Sequence, residues 1–270
     1  MSKIKVGIIG CGTIGTQLAI ACQGRLAKSV ELVAVCDFDA GKAAALNKSL
    51  KKKVRLLKIG DLMGKADVVV EAASAGISGD VLKECIRRKK GCLIMSVGGL
   101  LGREDLLKKA EKLGVRVYIP SGAICGIDGL KSSSVGKIDS VTLTTRKPPK
   151  GLFGAPYLKE KGIDITNISE DRTVFEGSAE EAVRAFPQNI NVSAVLSLAG
   201  IGAKATRVRL VASPGLGRNV HEVEIRGDAG SIFTRTENVP SKANPKTSAL
   251  AILSAIATLG GISDSVKIGT

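Results

Sequence analysis

Residues 4–15 read Ile-Lys-Val-Gly-Ile-Ile-Gly-Cys-Gly-Thr-Ile-Gly, and this stretch decides the fold. Val6, Ile8 and Ile9 make a short apolar run. It ends in Gly10-x-Gly12-x-x-Gly15, and helical spacing follows through Ile14, Leu18 and Cys22. A strand, a tight turn and a helix in that order give a glycine pattern chemical meaning. Gly10 permits the turn, Gly12 lets backbone approach a pyrophosphate, and Gly15 lets the helix pack on the strand. The helix start, with Thr13 and Ile14, offers unpaired N–H groups and partial positive charge to phosphate. Gly10, Gly12, Thr13, Ile14 and Gly15 are therefore expected to bind a dinucleotide.

A second apolar run, Glu31-Leu-Val-Ala-Val-Cys-Asp37, ends in a carboxylate about 20 residues beyond Gly15. Asp37 can accept hydrogen bonds from a ribose 2′-OH and would repel a 2′-phosphate. The expectation is NAD, with NADP as the alternative because Lys42 lies close in sequence.

Outward from this fingerprint, short apolar runs alternate with amphipathic segments to about residue 128. Strands are expected near 3–9, 31–36, 54–57, 67–71, 92–96 and 115–119. Helices are expected near 13–28, 40–50, 78–89 and 103–113, with a short element near 60–64. This alternation predicts an α/β fold whose N-terminal part is a Rossmann-type, doubly wound parallel sheet. Ligands of such sheets lie beyond the carboxyl ends of the strands. Three loops are therefore candidates for the cleft: Glu71-Ala-Ala-Ser-Ala75, Ser96-Val-Gly-Gly99 and Ser121-Gly-Ala-Ile-Cys-Gly126. Ala73 and Ser74 join the expected cofactor contacts.

The pattern changes near residue 130. Residues 137–145 alternate with period two, as do 205–213 and 219–226. Ser178-x-x-Glu181 reads as a capping box, and a further helix starts at Asn189. The expected organisation is a dinucleotide-binding domain over 1–128 and a substrate and dimerisation domain over 129–243. The latter should be α+β with a largely antiparallel sheet. A C-terminal helix over 244–270 is expected to pack back near the first domain. Asn244 is its expected N-cap, Pro245 its first residue and Gly260-Gly261 its end.

The bulk composition excludes several classes. The chain has 270 residues, 44% hydrophobic, and no apolar run approaches the ~20 residues of a membrane span. It lacks a signal-peptide layout and is expected to be cytoplasmic. Six cysteines are scattered without a Cys-x-x-Cys pair, and there is a single histidine, so no metal site is expected. Cys125 stands apart because it falls in a candidate loop. The net charge is +15, spread over helix surfaces, with five Phe, two Tyr and no Trp. No nucleic-acid motif accompanies the charge, which is read as a solvated surface that attracts anionic substrates.

The single histidine, His221, sits in Asn219-Val-His-Glu-Val-Glu-Ile-Arg226. Period two puts His221 with Val223 and Ile225 on an apolar face. It is either a satisfied core histidine or a proton-transfer group. Asn189 and Asn191 read as helix caps or as amides that contact a cofactor or substrate. Asn244-Pro-Lys-Thr-Ser248 sets hydroxyls and a lysine at an expected helix start, either ordinary capping or an anion site. Arg146, Lys147 and Lys150 flank a proline-rich loop, where they either hold a carboxylate or are simply solvated.

Seven segments in order resemble the L-aspartate dehydrogenases of NAD biosynthesis. They are Gly10-Cys-Gly-Thr-Ile-Gly15, Val70-Glu-Ala-Ala-Ser74, Ile119-Pro-Ser-Gly-Ala-Ile-Cys-Gly-Ile-Asp128, Thr145-Arg-Lys-Pro-Pro149, Phe186-Pro-Gln-Asn-Ile-Asn-Val192, Asn219-Val-His221 and Asn244-Pro-Lys-Thr-Ser248. Two places depart from the family pattern: Ser213-Pro214, where Asp-Pro is frequent, and Gly99, where Ala is expected.

The resemblance implies a homodimer, His221 as catalytic residue, and Ala123 and Asn189 in contact with the nicotinamide cofactor. The implied reaction oxidises L-aspartate to iminoaspartate, which either passes to quinolinate synthase or hydrolyses to oxaloacetate and ammonia. The expected substrate set is Asn219, Lys246, Thr247, Arg146 and Lys147, with the substrate entering between the domains. The alternatives are a homoserine dehydrogenase-like oxidoreductase and a non-enzymatic NAD-binding redox sensor. The latter needs a DNA-reading element that the sequence does not display.

Overall fold

The computed structural model describes residues 2–186, 191–244 and 247–270. The chain forms two compact units. One comprises Met1–Pro120 with Ile252–Lys267, and the other comprises Ser121–Ala251 with Ile268–Thr270.

The first unit alternates strand and helix as its apolar pattern dictates. Its strands are β1 (Ile4–Ile9), β2 (Val30–Cys36), β3 (Arg55–Leu56), β4 (Val68–Glu71), β5 (Gly91–Ile94) and β6 (Val117–Tyr118). Its helices are α1 (Thr13–Gln23), α2 (Ala40–Ser49), α3 (Ile59–Lys65), α4 (Ala75–Arg87) and α5 (Glu104–Lys112), with a one-turn 3-10 helix at Val97–Leu100. Among the described residues its strands pair in parallel, in the order β3-β2-β1-β4-β5-β6. The order reverses between β1 and β4, which makes this the topological switch point of a doubly wound sheet. Every residue of β4 is buried, as expected for a parallel strand covered on both faces.

The second unit contains α6 (Ile127–Ser133), β7 (Ile138–Lys147), α7 (Pro156–Glu160), β8 (Arg172–Ser178), α8 (Ala179–Ala185), α9 (Asn191–Ala199), β9 (Arg207–Ala212), β10 (Asn219–Gly227) and β11 (Gly230–Asn238). Its sheet runs β11-β10-β7-β9-β8 and is antiparallel except for β7 with β9. Val141, Leu143, Val208, Leu210, Val223 and Ile225 meet in one core with Leu130, Leu196 and Phe186. Tyr157, Phe175 and Phe186 stack there, with ring centroids 5.4–5.6 Å apart. The capping box opens α8: the Ser178 Oγ accepts from Glu181 N, while Ser178 N donates to the Glu181 carboxylate.

The last helix differs from the sequence expectation. It is α10 (Ala249–Gly261), so Asn244 is not its N-cap. Two backbone hydrogen bonds link described residues ahead of it. Ser241 N donates to Thr247 O at 2.7 Å, and Thr247 N donates to Asn244 O at 2.9 Å. The helix instead begins after Ser248, whose Oγ accepts from Leu250 N. From Ile252 on, α10 belongs to the first unit, where Ile252, Ala255, Ile256 and Leu259 join the core of Leu18, Val30 and Val68. No helix among the described residues is long and apolar enough to cross a membrane.

Candidate active site

In the first unit the glycine motif is a shaped cradle. Gly10 has φ +99°, a conformation L-residues with a side chain rarely adopt, and a Cβ there would lie 2.4 Å from the Ala72 carbonyl carbon. A Cβ on Gly15 would lie 1.8 Å from Gly10 O, so only glycine lets α1 come this close to the turn. A Cβ on Gly12 would meet nothing within 4 Å, and Gly12 is exposed. The open side of the cradle is therefore at Gly12, directly at the N-terminus of α1, where Thr13 and Ile14 follow. No side chain caps that helix start.

Asp37 stands at the end of β2 beside this cradle. Its Oδ2 accepts from Cys11 N at 2.6 Å and its Oδ1 from Asp39 N at 2.9 Å. The carboxylate thus ties the glycine turn to β2. Ile9, Gly10, Asp37, Phe38, Lys58 and Ala73 are among the residues that line one cavity of about 510 Å³. Sequence reasoning missed Lys58, which reaches this cavity from the start of α3. Phe38 is 80% exposed, an apolar ring at the cavity wall. The donor set and the open Gly12 face suit a pyridine dinucleotide.

Ala73 and Ser74 are exposed at the start of α4, and their N–H groups bond Glu71.

In the second unit the chemistry gathers at one end of the apolar face of the sheet. His221 pairs with Thr145 on β7 and Thr236 on β11, so the three share that face. Thr145 Oγ1 and His221 Nδ1 share a hydrogen bond of 2.9 Å. Lys147, two residues on from Thr145, lies on the same face. His221 is buried, and that burial, with the positive charge of Lys147 second, pushes its pKa down to about 3. Burial likewise pushes Lys147 down to about 8. The site thus holds a neutral imidazole and a readily deprotonated amine.

The loop carrying Ala123 is fixed to the same cluster. Ala123 O accepts from Thr236 Oγ1 at 3.1 Å and from Asn238 Nδ2 at 2.9 Å. Asn238 Oδ1 accepts in turn from Ser248 Oγ at 2.6 Å. Asn219 pairs with Asn238 and so lies on the His221 face. Ser213 N donates to Lys147 O at 2.8 Å, and the buried Ser213 hydroxyl has no partner among the described residues. Sequence reasoning missed Thr145, Thr236 and Asn238. Only the pairing register reveals them, since each is one polar residue in an ordinary strand.

Not every expected residue joins. Arg146 points to the opposite face and is held by Asp171 at 2.8 Å and Glu222 at 3.2 Å. It therefore does not join the His221 face, where Lys147 lies, because neighbouring side chains on a strand point to opposite sides of the sheet. Thr247 lies in the turn before α10, not at a helix start. Asn189 and Lys246 lie outside the described residues. Cys125 is exposed and its carbonyl accepts from Thr234 Oγ1 at 3.2 Å. Cys11, Cys22, Cys85 and Cys92 are buried free thiols.

The chain is similar to known proteins over its whole length. The family described as "Aspartate dehydrogenase, C-terminal" matches residues 128–262, and "Homoserine dehydrogenase, NAD binding domain" matches residues 10–120. A protein of Methanosarcina mazei named L-aspartate dehydrogenase is 47% identical over 274 residues, spanning 99% of this chain and 100% of that protein. One of Nitrosopumilus maritimus with the same name is 41% identical over 272 residues, spanning 98% of this chain and 99% of its own length. The crystal structure of aspartate dehydrogenase from Thermotoga maritima superposes with a TM-score of 0.77 at 26% identity, over 99% of this chain and 100% of that one. Sequence kinship over the whole length, with this fold and a pyridine-nucleotide-binding unit, makes the chain an oxidoreductase of the L-aspartate dehydrogenase family.

Proposed function

We propose that the chain oxidises L-aspartate to iminoaspartate with NAD as the hydride acceptor. The observation that carries this is the buried His221–Thr145 pair beside Lys147, in a chain related over its whole length to proteins of that name. Gly10, Gly12, Thr13, Ile14 and Gly15 take the pyrophosphate. Asp37 takes the ribose hydroxyl, which favours NAD over NADP, while Lys58 in the same cavity keeps NADP as the second choice. Ala73, Ser74, Ala123 and Asn189 hold the remainder of the dinucleotide.

Bound NAD supplies one thing, acceptance of a hydride from the substrate Cα. The protein's own work is binding and proton transfer. Lys147, with Asn219, Lys246 and Thr247, holds the substrate carboxylates. An arriving carboxylate brings negative charge to Lys147 and His221 and raises both pKa values from their depressed positions. His221 then works as general acid and base, directly or through a water, in amine deprotonation and imine hydration. Thr145 fixes the ring so that Nε2 is the working nitrogen. The product feeds NAD biosynthesis through quinolinate synthase, or hydrolyses to oxaloacetate and ammonia. The enzyme acts in the cytoplasm as a homodimer.

The test is NADH formation by the purified protein with L-aspartate, D-aspartate, L-glutamate, L-malate and L-homoserine. Activity with L-aspartate alone is expected. Activity with homoserine in its place would overturn the substrate assignment and leave the cofactor unit intact.

A further inference from the structure

Glu71 is the last residue of β4, follows three buried valines and is 0% exposed. A carboxylate in that position is costly unless its oxygens are well supplied with donors. Here they are. Oε1 accepts from Ala73 N at 2.8 Å, Ser74 N at 3.1 Å and Ser96 Oγ at 2.9 Å. Oε2 accepts from Ser96 N at 3.0 Å. Three of these donors are peptide N–H groups, which cannot accept a proton in return, so the ionised carboxylate is the form that suits the site. On balance its pKa is raised: burial pushes it up more than the four hydrogen bonds, which favour the charged form, pull it down. The Cys92 thiol nearby is raised chiefly by its hydrogen bond with Cys85 and by burial, with the Glu71 carboxylate adding least.

The groups that Glu71 gathers belong to two different loops. Ala73 and Ser74 lead from β4 into α4, and Ser96 leads from β5 into the 3-10 helix. These loops run close together: a Cβ on Gly99 would lie 2.0 Å from Ala75 O. Both lie at the carboxyl ends of strands on the β4 side of the switch point, opposite the side where the glycine cradle meets Asp37. A dinucleotide crosses such a sheet at the switch point. With its adenosine half on the Asp37 side, the nicotinamide half falls to the loops that Glu71 ties together.

We propose that Glu71 is a positioning residue for the nicotinamide half of the cofactor, and that its buried negative charge makes the site favour the oxidised ring over the reduced one. The oxidised nicotinamide carries a positive charge and the reduced ring carries none. A fixed carboxylate in a poorly polarisable setting therefore stabilises one form selectively. The proposal rests on the dinucleotide reading above.

The experiment titrates the full-length protein separately with NAD⁺ and NADH, without substrate, in wild type, Glu71→Gln and Glu71→Asp. Glu71→Gln removes the charge and sets an amide NH₂ against peptide N–H donors. It is expected to raise the Kd for NAD⁺ about tenfold and the Kd for NADH by no more than about threefold. Glu71→Asp keeps the charge but shortens the reach, so both forms weaken by the same factor and the wild-type ratio stays. Equal weakening of both forms in Glu71→Gln would overturn the charge effect. If that variant does not fold, Glu71→Ala takes its place as the charge-free variant, with the same expected change in ratio, and equal weakening of both forms overturns the proposal. Wild-type protein that binds neither form would remove the dinucleotide reading itself, whereas binding of both with a ratio indifferent to Glu71 removes only this inference.

Discussion

Thr145 Oγ1 and His221 Nδ1 lie 2.9 Å apart across the antiparallel pair β7–β10, in a setting that keeps the imidazole neutral. The bond holds the ring through Nδ1. Thr145→Val preserves shape and removes the hydroxyl. Turnover is expected to fall about tenfold with a smaller change in the KM for aspartate, and stability to fall by about 1 kcal/mol. Steady-state kinetics and urea denaturation check both. Unchanged turnover would show that the threonine serves packing alone.

His221→Ala should cost more. Loss of a general acid–base group lowers turnover by ~10²–10⁴-fold. NAD⁺ affinity, measured by titration, should stay near wild type, because the glycine cradle belongs to the other unit. Wild-type-like turnover in this variant would end the assignment of His221.

The buried imidazole also makes a pH prediction. Its pKa is about 3 in the folded chain, against about 6.5 when exposed. Between those values the unfolded chain binds more protons, so the contribution of His221 to stability is complete above about pH 6.5 and is lost as pH falls toward 3. Comparing wild type with His221→Gln by chemical denaturation isolates this group from the carboxylates. The difference in unfolding free energy should shift against wild type by up to about 1.4 kcal/mol per pH unit across the window. A pH-independent difference would contradict a neutral buried imidazole.

Gly12 and Gly15 separate ligand approach from folding. An added methyl at Gly12 meets open space, whereas at Gly15 it would lie 1.8 Å from Gly10 O. Gly12→Ala should melt close to wild type yet bind NAD⁺ at least ~10-fold more weakly, since the methyl occupies the approach to the pyrophosphate. Gly15→Ala should lower the melting temperature itself. Thermal melts with and without NAD⁺ distinguish the two. Intact binding in Gly12→Ala would move the pyrophosphate elsewhere.

Asp37 is expected to govern cofactor choice. Asp37→Ser removes the charge that repels a 2′-phosphate and leaves Lys58 in the same cavity. The ratio of NADP⁺ to NAD⁺ affinity should rise by about tenfold or more. A ratio that stays put would show that Asp37 acts only through its bonds from Cys11 N and Asp39 N.

Much of the fold is legible in the residues. The unbroken apolar run Val68-Val-Val70 of β4 and the spaced apolar positions of α4 are strong local signals, and the observed elements follow them. Strand β8 escaped because its two large apolar residues, Val174 and Phe175, are adjacent and the pairing register shifts between Thr173 and Phe175. Strand β11 escaped because only Ile232 and Phe233 are apolar, and Phe233 is 63% exposed. Asn244-Pro245 carries the local chemistry of a helix start, but Thr247 N donates to Asn244 O and Asn244 N to Ser241 O, and the helix begins only at Ala249.

By itself the sequence determined the glycine turn, the strand–helix alternation and the apolar face that takes His221. These depend on neighbours within a few residues, where φ and side-chain period act directly. Tertiary structure alone decided which polar groups meet. Thr145 reaches His221, Asn238 reaches Ala123, and Glu71 reaches Ser96 across separations of 76, 115 and 25 positions. It also turned Arg146 away and left Lys147 beside the imidazole, because strand pairing fixes register and register fixes which face each side chain occupies.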